Sequence, residues 1–353
     1  MRENKIIPYL STKKLYPENQ ESPIHFLDNG QTPIHYFYRR NHFAYPILNP
    51  LRFGVEISGQ VSQPRFFNLN ELLSMPRKSL LIPLECSGNK RAKFTPEVFG
   101  EQWQDGAISQ GKWTGVSLTY LLELVGLTPN ALEVLFQGSD YGNKPGKLEK
   151  FHFERSLPLE KALHPDTIIA FQYNDNPISF KHGYPLRLIV PNWYAMASVK
   201  WLNRIKVIDH HFTGPFQTED YVYYPDKDSD VGQFPVTTIN VNSIIQQPLD
   251  LAILETGTHT IQGIAWSGLG PISEVELSFD QSETWIKASL HPLSNQKYAW
   301  SRWSYEWKVS QKGEYTIYVR ARDSIGRVQP ITPFWNRKGY GYNAVSHIKV
   351  KVN

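Results

Sequence analysis

From residue 259 onward the chain keeps repeating one pattern. The stretches HTIQGIAWSG, ISEVELSFDQ, YAWSRWSYEWKV and EYTIYVRARDS alternate apolar with polar residues, and turn formers separate them. Successive side chains of a strand point to opposite faces, so alternation with period two marks a strand with one buried side. Several such strands at this spacing predict an antiparallel β-sandwich of immunoglobulin type. The single cysteine, Cys86, lies far upstream, so this sandwich carries no antibody-type disulfide.

The part before it is patterned differently. The first thirty residues are polar and proline-bearing and predict an extended arm. RFGVEISGQV alternates like a strand that ends in a turn. FNLNELLSMP reads as a short helix, with Asn68 or Asn70 as N-cap and Pro76 as the stop. SLLIPLEC is a short apolar run of β character that delivers Cys86 to a strand end. GVSLTYLLELVGL has helical periodicity and places Leu118, Leu121, Leu122 and Val125 on one face. EVLFQGSDYG, TIIAFQYNDNPI and PLRLIVP read as further strands with turns. Strands and helices mix without strict alternation, which predicts an α+β unit. The turn-rich segment from about 210 to 240 reads as a crossing. The expected organisation is therefore residues 1–235 as one domain and 236–353 as the sandwich.

Composition narrows the function classes. The chain of 353 residues is long enough for two cores, and 20% charged residues fit a soluble globular protein. A net charge of +4 with scattered Lys and Arg fits an anionic small molecule better than nucleic acid, and no nucleic-acid motif is present. One cysteine cannot form an internal disulfide. No apolar run approaches the roughly twenty residues of a membrane span. MRENKIIPYLSTKK is charged but has no apolar segment after it, so no secretory signal is read and a cytoplasmic location is expected. Arg39-Arg40 is a twin arginine by letters, but Asn41-His42 follows it.

Most catalytic signatures are absent, including H-E-x-x-H, C-x-x-C, the P-loop and G-x-S-x-G. GYGYNA, at 339–344, matches a dinucleotide fingerprint by letters but precedes a terminal strand instead of a helix. Cys86, in PLECSGNKR, is the remaining singular residue. A lone cysteine is most often a buried structural thiol. Here Lys90 and Arg91 would favour the thiolate, while Gly88 and Asn89 suit a tight turn with exposed donors. A thiolate can attack, with one of eleven His as base, or it can ligate a soft transition metal. One protein sulfur cannot hold such a metal alone, so an organic cofactor would have to supply the other ligands.

ECSGNKR resembles the E-C-A-G-N-R-R element of the sulfite oxidase family of molybdenum enzymes. RRNH at 39–42 is similar to that family's R-N-H segment, and WQDGAISQGKWTGVSL at 103–118 to its W-x-x-G-A-I-x-x-x-x-W-x-G-x-x-L stretch. QGSD at 137–140 resembles its G-x-D turn. HGYPLRLIVPNWYAMASVKWL at 182–202 resembles its H-G-x-P-x-R-x-x-V-P…S-V-K-W-L block, and WNRKGYGYNAVSH at 335–347 its W-N-x-x-G-x-x-N-x-x-H element. The matches occur in the family's order from about residue 36 to 347.

The resemblance implies an α+β, sulfite-oxidase-type molybdopterin-binding domain followed by an immunoglobulin-like dimerisation domain, and hence a homodimer. It implies a molybdenum–molybdopterin cofactor with Cys86 as the protein ligand to the metal. It implies that Tyr38, Arg39, Arg40, Asn41, His42, Asp140, His182, Arg187, Ser198, Val199 and Lys200 hold the pyranopterin; Arg and Lys suit its phosphate, and Asp its ring donors. Arg40, Arg91 and Trp103 match the substrate pocket. The pocket's tyrosine position is read as Phe171, which has no hydroxyl; Tyr173 would share its face in a regular strand. The C-terminal arginine position is read as Lys338, beside Arg337, which keeps the charge but not the bidentate fork. The implied reaction is oxygen-atom transfer from sulfite to sulfate, with electrons leaving to an external carrier, since haem and flavin extensions of some relatives are not seen. Phe171 and Lys338 motivate a second reading, an oxo-reductase acting on a sulfoxide or on an oxoanion such as nitrate. A binding scaffold that has lost the metal and a Cys/His hydrolase are also compatible with the residues.

Overall fold

The computed structural model describes residues 8–27, 30–49 and 53–353. Residues 1–7 and 28–29 of the expected arm, and Arg52 at the head of RFGVEISGQV, lie outside the described residues. The described arm is less extended than expected. Ser11–Lys14 pairs with Asn19–Glu21 as a small antiparallel hairpin, and Gln20 bridges to Arg39.

Two five-stranded sheets build the first part. One runs Asn176–Pro177, Ile168–Tyr173, Ile108–Ser117, Lys78–Glu85, with Arg187–Ile189 also paired to Ile168–Tyr173. The other runs Arg65–Asn68, Gly54–Gly59, Leu202–Ile208, Glu133–Asn143, Lys150–Pro158, where Leu202–Ile208 lies parallel to Gly54–Gly59. Among the described residues the α-helices are short: Leu69–Ser74, Leu118–Val125 and Leu159–Ala162. The Asn68 side chain accepts from the Glu71 amide, which settles the N-cap. Leu118, Leu121, Leu122 and Val125 form the buried face of the second helix. That helix is shorter than its periodic window, because Gly115 to Ser117 still pair in the Ile108–Ser117 strand and Gly126 at φ 66° ends it. The first part thus mixes strands and helices without strict alternation, and it is mostly β with few helices.

The second part is two sheets around one core. Asn242–Gln247, Gly257–Trp266, Ser301–Val309 and Ser289–His291 form one. Ala252–Leu254, Ser346–Val352, Gly313–Asp323, Ile272–Ser278 and Ile286–Lys287 form the other. Ile261, Trp303 and Trp307 meet Leu277, Ile317, Val319 and Val350 between them. Ser346–Val352 alternates buried and exposed at every step, which is the period the sequence carries. No helix among the described residues is long and apolar enough to cross a membrane.

The two parts are joined by buried polar contacts beside Cys86. The Lys78–Glu85 strand pairs with Ile108–Ser117 as far as Glu85 and Ile108. Glu85 accepts from the Trp266 indole at 2.9 Å and from the Asn89 amide at 3.0 Å. Lys90 takes a left-handed backbone (φ 62°) and is fully buried. Its ammonium donates to Asn242 Oδ1 at 2.6 Å, the Ser243 carbonyl at 2.9 Å and Ser346 Oγ at 2.9 Å. Asp105 faces this ammonium at 3.8 Å and pairs with Lys93 at 2.7 Å. Burial pushes the Asp105 carboxyl up, but Lys93 and Lys90 outweigh it and hold the group at about 2.

A carboxyl depressed on folding stabilises above its unfolded pKa and loses that contribution as pH falls through the folded value. Asp105 should therefore contribute about 2 kcal/mol above pH ~4 and lose it towards pH ~2. Asp105→Asn should cost about that much at pH 6 and flatten the acid limb. Urea unfolding at pH 6 and pH 3 checks this; equal losses at both would refute the ion pair as the source.

Candidate active site around Cys86

A cavity opens beside Cys86. Its lining is strongly cationic and includes Arg39, Arg40, Lys181, Arg187 and Lys200, together with Cys86, His42, Asp140 and Tyr221. Cys86 is buried at the strand end, and its amide donates to the Ala107 carbonyl at 2.9 Å. Burial pushes the thiol up, and Arg40 and Arg91 pull it part of the way back. Lys90 has no part in this, because its ammonium is spent on Asn242, Ser243 and Ser346; the expectation that it favours the thiolate is corrected.

The turn after Cys86 aims Arg91. Its Nε donates to the Lys338 carbonyl at 3.1 Å and its Nη1 to the Glu101 carbonyl at 3.1 Å. A Cβ on Gly88 would lie 2.6 Å from the guanidinium and one on Gly100 2.9 Å, so both positions need glycine for this close approach. The Arg91 guanidinium lies 5.1 Å from the centroid of the Tyr340 ring, and Tyr340 stacks on Tyr221 at 5.5 Å. Tyr221 and His42 Nε2 share a hydrogen bond of 2.8 Å. Burial holds the Tyr221 phenol far above its usual range, and burial with Arg40 and Lys200 holds His42 well below its own. Both are therefore neutral near pH 7.

On the other side, His182 Nε2 donates to the Phe37 carbonyl at 3.2 Å, so Nδ1 accepts from Ser179 Oγ at 2.6 Å. Burial and Arg187 keep this ring neutral. Arg187 is fixed by the Ser198 carbonyl at 3.2 Å and the His182 carbonyl at 3.1 Å. Ser198 Oγ accepts from the Val190 amide at 3.1 Å. Lys200 reaches the Arg40 carbonyl at 3.1 Å and Asn41 Oδ1. Asn41 is anchored in turn by Asn19 Oδ1 at 2.6 Å and the Glu18 carbonyl at 2.6 Å. Glu18 also pairs with Arg39 at 3.0 Å and Lys181 at 3.0 Å, so the hairpin screens part of the positive rim.

Three buried polar atoms of the lining residues have no protein partner: Asp140 Oδ1, Arg39 Nε and Ser87 Oγ. Buried polar atoms are nearly always satisfied. A cavity that keeps acceptors and donors of both kinds unmet, among so many cations, suits a polar anionic ligand.

The comparisons with known proteins agree. The family model "Oxidoreductase molybdopterin binding domain" matches residues 42–216, and "Mo-co oxidoreductase dimerisation domain" matches 233–353. The chain is 30% identical to the sulfite oxidase of Arabidopsis thaliana, with 94% of this chain and 91% of that one covered. It belongs to the sulfite oxidase family of molybdopterin oxidoreductases. The mitochondrial sulfite oxidase of Drosophila melanogaster is 34% identical over 95% of this chain. The chain spans 62% of that relative's length. The sulfane dehydrogenase SoxCD of Paracoccus pantotrophus superposes with a TM-score of 0.85 at 24% identity, covering 99% of this chain and 92% of that one, a likeness of fold. The family carries a molybdenum–molybdopterin cofactor, and the unmet Asp140, Arg39 and Ser87 atoms fit such a group.

Most residues singled out in the sequence converge here. Tyr38, Arg39, Arg40, Asn41, His42, Cys86, Asp140, His182, Arg187, Ser198 and Lys200 all line the cavity. Val199 does not; its side chain packs in the main core. Trp103 is fully buried in the small cluster that also contains Cys86 and Tyr38, so it backs the site without lining it. Lys338 offers Arg91 its carbonyl and turns its ammonium towards Asp220 at 4.0 Å. Phe171 lies in the main core, with Arg77 5.5 Å above its ring. The strand is not regular there: the register shifts between Thr114 and Gly115, and pairing skips from Gln172 to Ala170. That bulge puts Phe171 and Tyr173 on opposite faces. The Tyr173 hydroxyl is in any case spent on the Thr32 carbonyl at 2.6 Å and the Gln110 carbonyl at 3.1 Å. The tyrosine at this cavity is Tyr221, in the tyrosine-rich EDYVYYP of the segment read as a crossing. Clustered tyrosines in a polar turn are the signal by which the sequence could have pointed to it.

Asp140→Ala should lower the pterin content of purified protein about five- to hundredfold, the worth of a buried charged hydrogen bond. It should also lower the melting temperature of cofactor-free protein, because the buried Lys200 ammonium loses the carboxylate whose charge bears on it. Pterin fluorescence after oxidation and thermal melts check the two losses.

Proposed function

We propose that the chain oxidises sulfite to sulfate, with water supplying the oxygen overall and two electrons and two protons leaving for an external carrier such as a cytochrome. The observation that carries this reading is the pair of guanidiniums, Arg40 in the cationic lining and Arg91 behind it, whose charge bears on the Cys86 thiol. Cys86 would be the protein ligand to molybdenum, and a coordinated metal deprotonates a thiol outright. Tyr38, Arg39, Asn41, Asp140, His182, Arg187, Ser198 and Lys200 would hold the pterin and its phosphate. When bound, the cofactor supplies two-electron oxygen-atom chemistry.

The chain's own residues do the rest by charge and placement. Arg40 and Arg91 hold the oxyanion and favour sulfate as its charge develops. Tyr221 stays protonated, so its hydroxyl is a hydrogen-bond donor to a substrate oxygen and not a base. Neutral His42 orients that hydroxyl. Trp103 packs behind Cys86 and Tyr38 and supports the site from its buried side. Phe171 and Lys338, the motive for an oxo-reductase, place no side chain in the cavity lining, and neither does Arg91, so the lining itself does not separate the two reactions. Residues 1–235 would form the catalytic domain and 236–353 an immunoglobulin-like sandwich that pairs two chains, in line with the dimerisation family model.

Elemental analysis with a sulfite-dependent dye-reduction assay tests the reading. About one molybdenum per chain with sulfite turnover, lost in Cys86→Ser, is the expected result. Molybdenum without sulfite turnover would redirect the search to oxo-reduction, and no molybdenum after cofactor-competent expression would overturn the enzyme. Tyr221→Phe should keep the molybdenum and lose about a hundredfold in kcat, the worth of one placed donor. An unchanged kcat would remove Tyr221 from the reaction.

A further inference from the structure

Behind Tyr221 lies a cation that none of these steps uses. Arg155, on the Lys150–Pro158 strand, is 1% exposed. Its Nη1 donates to the Phe216 carbonyl, and its buried Nε has no partner. Its guanidinium lies 5.4 Å from the centroid of the Tyr221 ring. Among the described residues no carboxylate comes within ion-pair distance of it. The acid whose charge bears on it is Asp220, which is already paired with Lys144 at 2.8 Å.

An unpaired buried charge is expensive to keep, and such groups are normally paired or neutralised. Burial does pull Arg155 down, to about 10, yet that leaves it cationic near pH 7. Its field reaches the cavity: with Arg40, Lys200 and Lys144, it is one of the charges that hold His42 neutral. The Phe216 carbonyl it grips begins the single wide turn Phe216–Asp220, which hands the chain to Tyr221. So one side chain both anchors the turn that presents Tyr221 and sets a positive charge behind it.

We propose that Arg155 is a positioning residue whose unpaired charge, acting through Tyr221, sets the cavity's affinity for a divalent oxyanion. The proposal rests on the sulfite reading for its substrate, while its charge claim can be read with sulfate alone. A buried arginine in FERSLP is not otherwise needed by the strand, whose neighbours Phe153 and Leu157 supply the core contacts.

Two substitutions separate its two duties. Arg155→Gln keeps a donor for the Phe216 carbonyl and drops the charge. Arg155→Lys keeps the charge and drops the fork. Sulfate is titrated by calorimetry into molybdenum-loaded protein, and KM and kcat for sulfite are measured alongside. The glutamine variant should bind sulfate about tenfold more weakly, with KM raised alike and kcat within about threefold, and the lysine variant should stay within about threefold of the native chain. Native-like sulfate binding by the glutamine variant would overturn the charge role. Equal loss in both variants would overturn it too, since guanidinium shape would then be what matters. Native protein that binds no sulfate would sink the proposal outright. Native protein that binds sulfate but does not turn over sulfite would fail the functional reading instead, and the two sulfate titrations would still decide the role of Arg155.

Discussion

One buried ammonium holds the Cys86 loop to the C-terminal sheets. Lys90 donates to Asn242, Ser243 and Ser346, and its neighbour Glu85 takes the Trp266 indole. These contacts flank Cys86 on both sides in sequence. They fix the turn that aims Arg91, which is then clipped to the carbonyl of Lys338 from the far end of the chain. The cavity is therefore a joint product of both parts of the molecule. Breaking one partner of such a buried set leaves the other without its compensation, which is why removal costs far more than the net worth of the contact.

The same logic runs through the cavity itself. Arg39, Arg40, Arg187 and Lys200 face one lining; the His182 and Ser198 carbonyls fix Arg187, and the Arg40 carbonyl holds Lys200. Glu18, from the N-terminal hairpin, offsets part of the charge at the rim. The unmet Asp140, Arg39 and Ser87 atoms mark where the folded chain keeps polar capacity in reserve for a ligand.

Motifs that stay contiguous are legible in the sequence. ECSGNKR, RRNH, QGSD and the 182–202 block can be placed in one site by likeness, and ten of the residues so placed, with Tyr38 as an eleventh, do line one cavity. Residues whose role depends on a face or a partner are not legible. Phe171 and Tyr173 are two apart and would share a side in a regular strand, but a bulge between them reverses the alternation. Lys90 and Arg91 are adjacent and of like charge, yet one crosses to the other part and only the other bears by its charge on the thiol. Tyr221 and Arg155 stand in stretches whose local pattern says turn and strand and nothing more.

The sequence by itself determined the two patterning regimes, the alternating strands of the second part, the short helices' buried faces and the family. Those follow from local periodicity and from contiguous motifs, which need no knowledge of distant neighbours. Only the tertiary structure decided which cation meets the thiol, which tyrosine closes the cavity and which arginine is left unpaired behind it. Each of these depends on burial and on partners up to 256 residues away along the chain, as with Lys90 and Ser346. Side-chain charge and hydrogen bonding act over ångströms in space, and spacing along the chain does not carry that information.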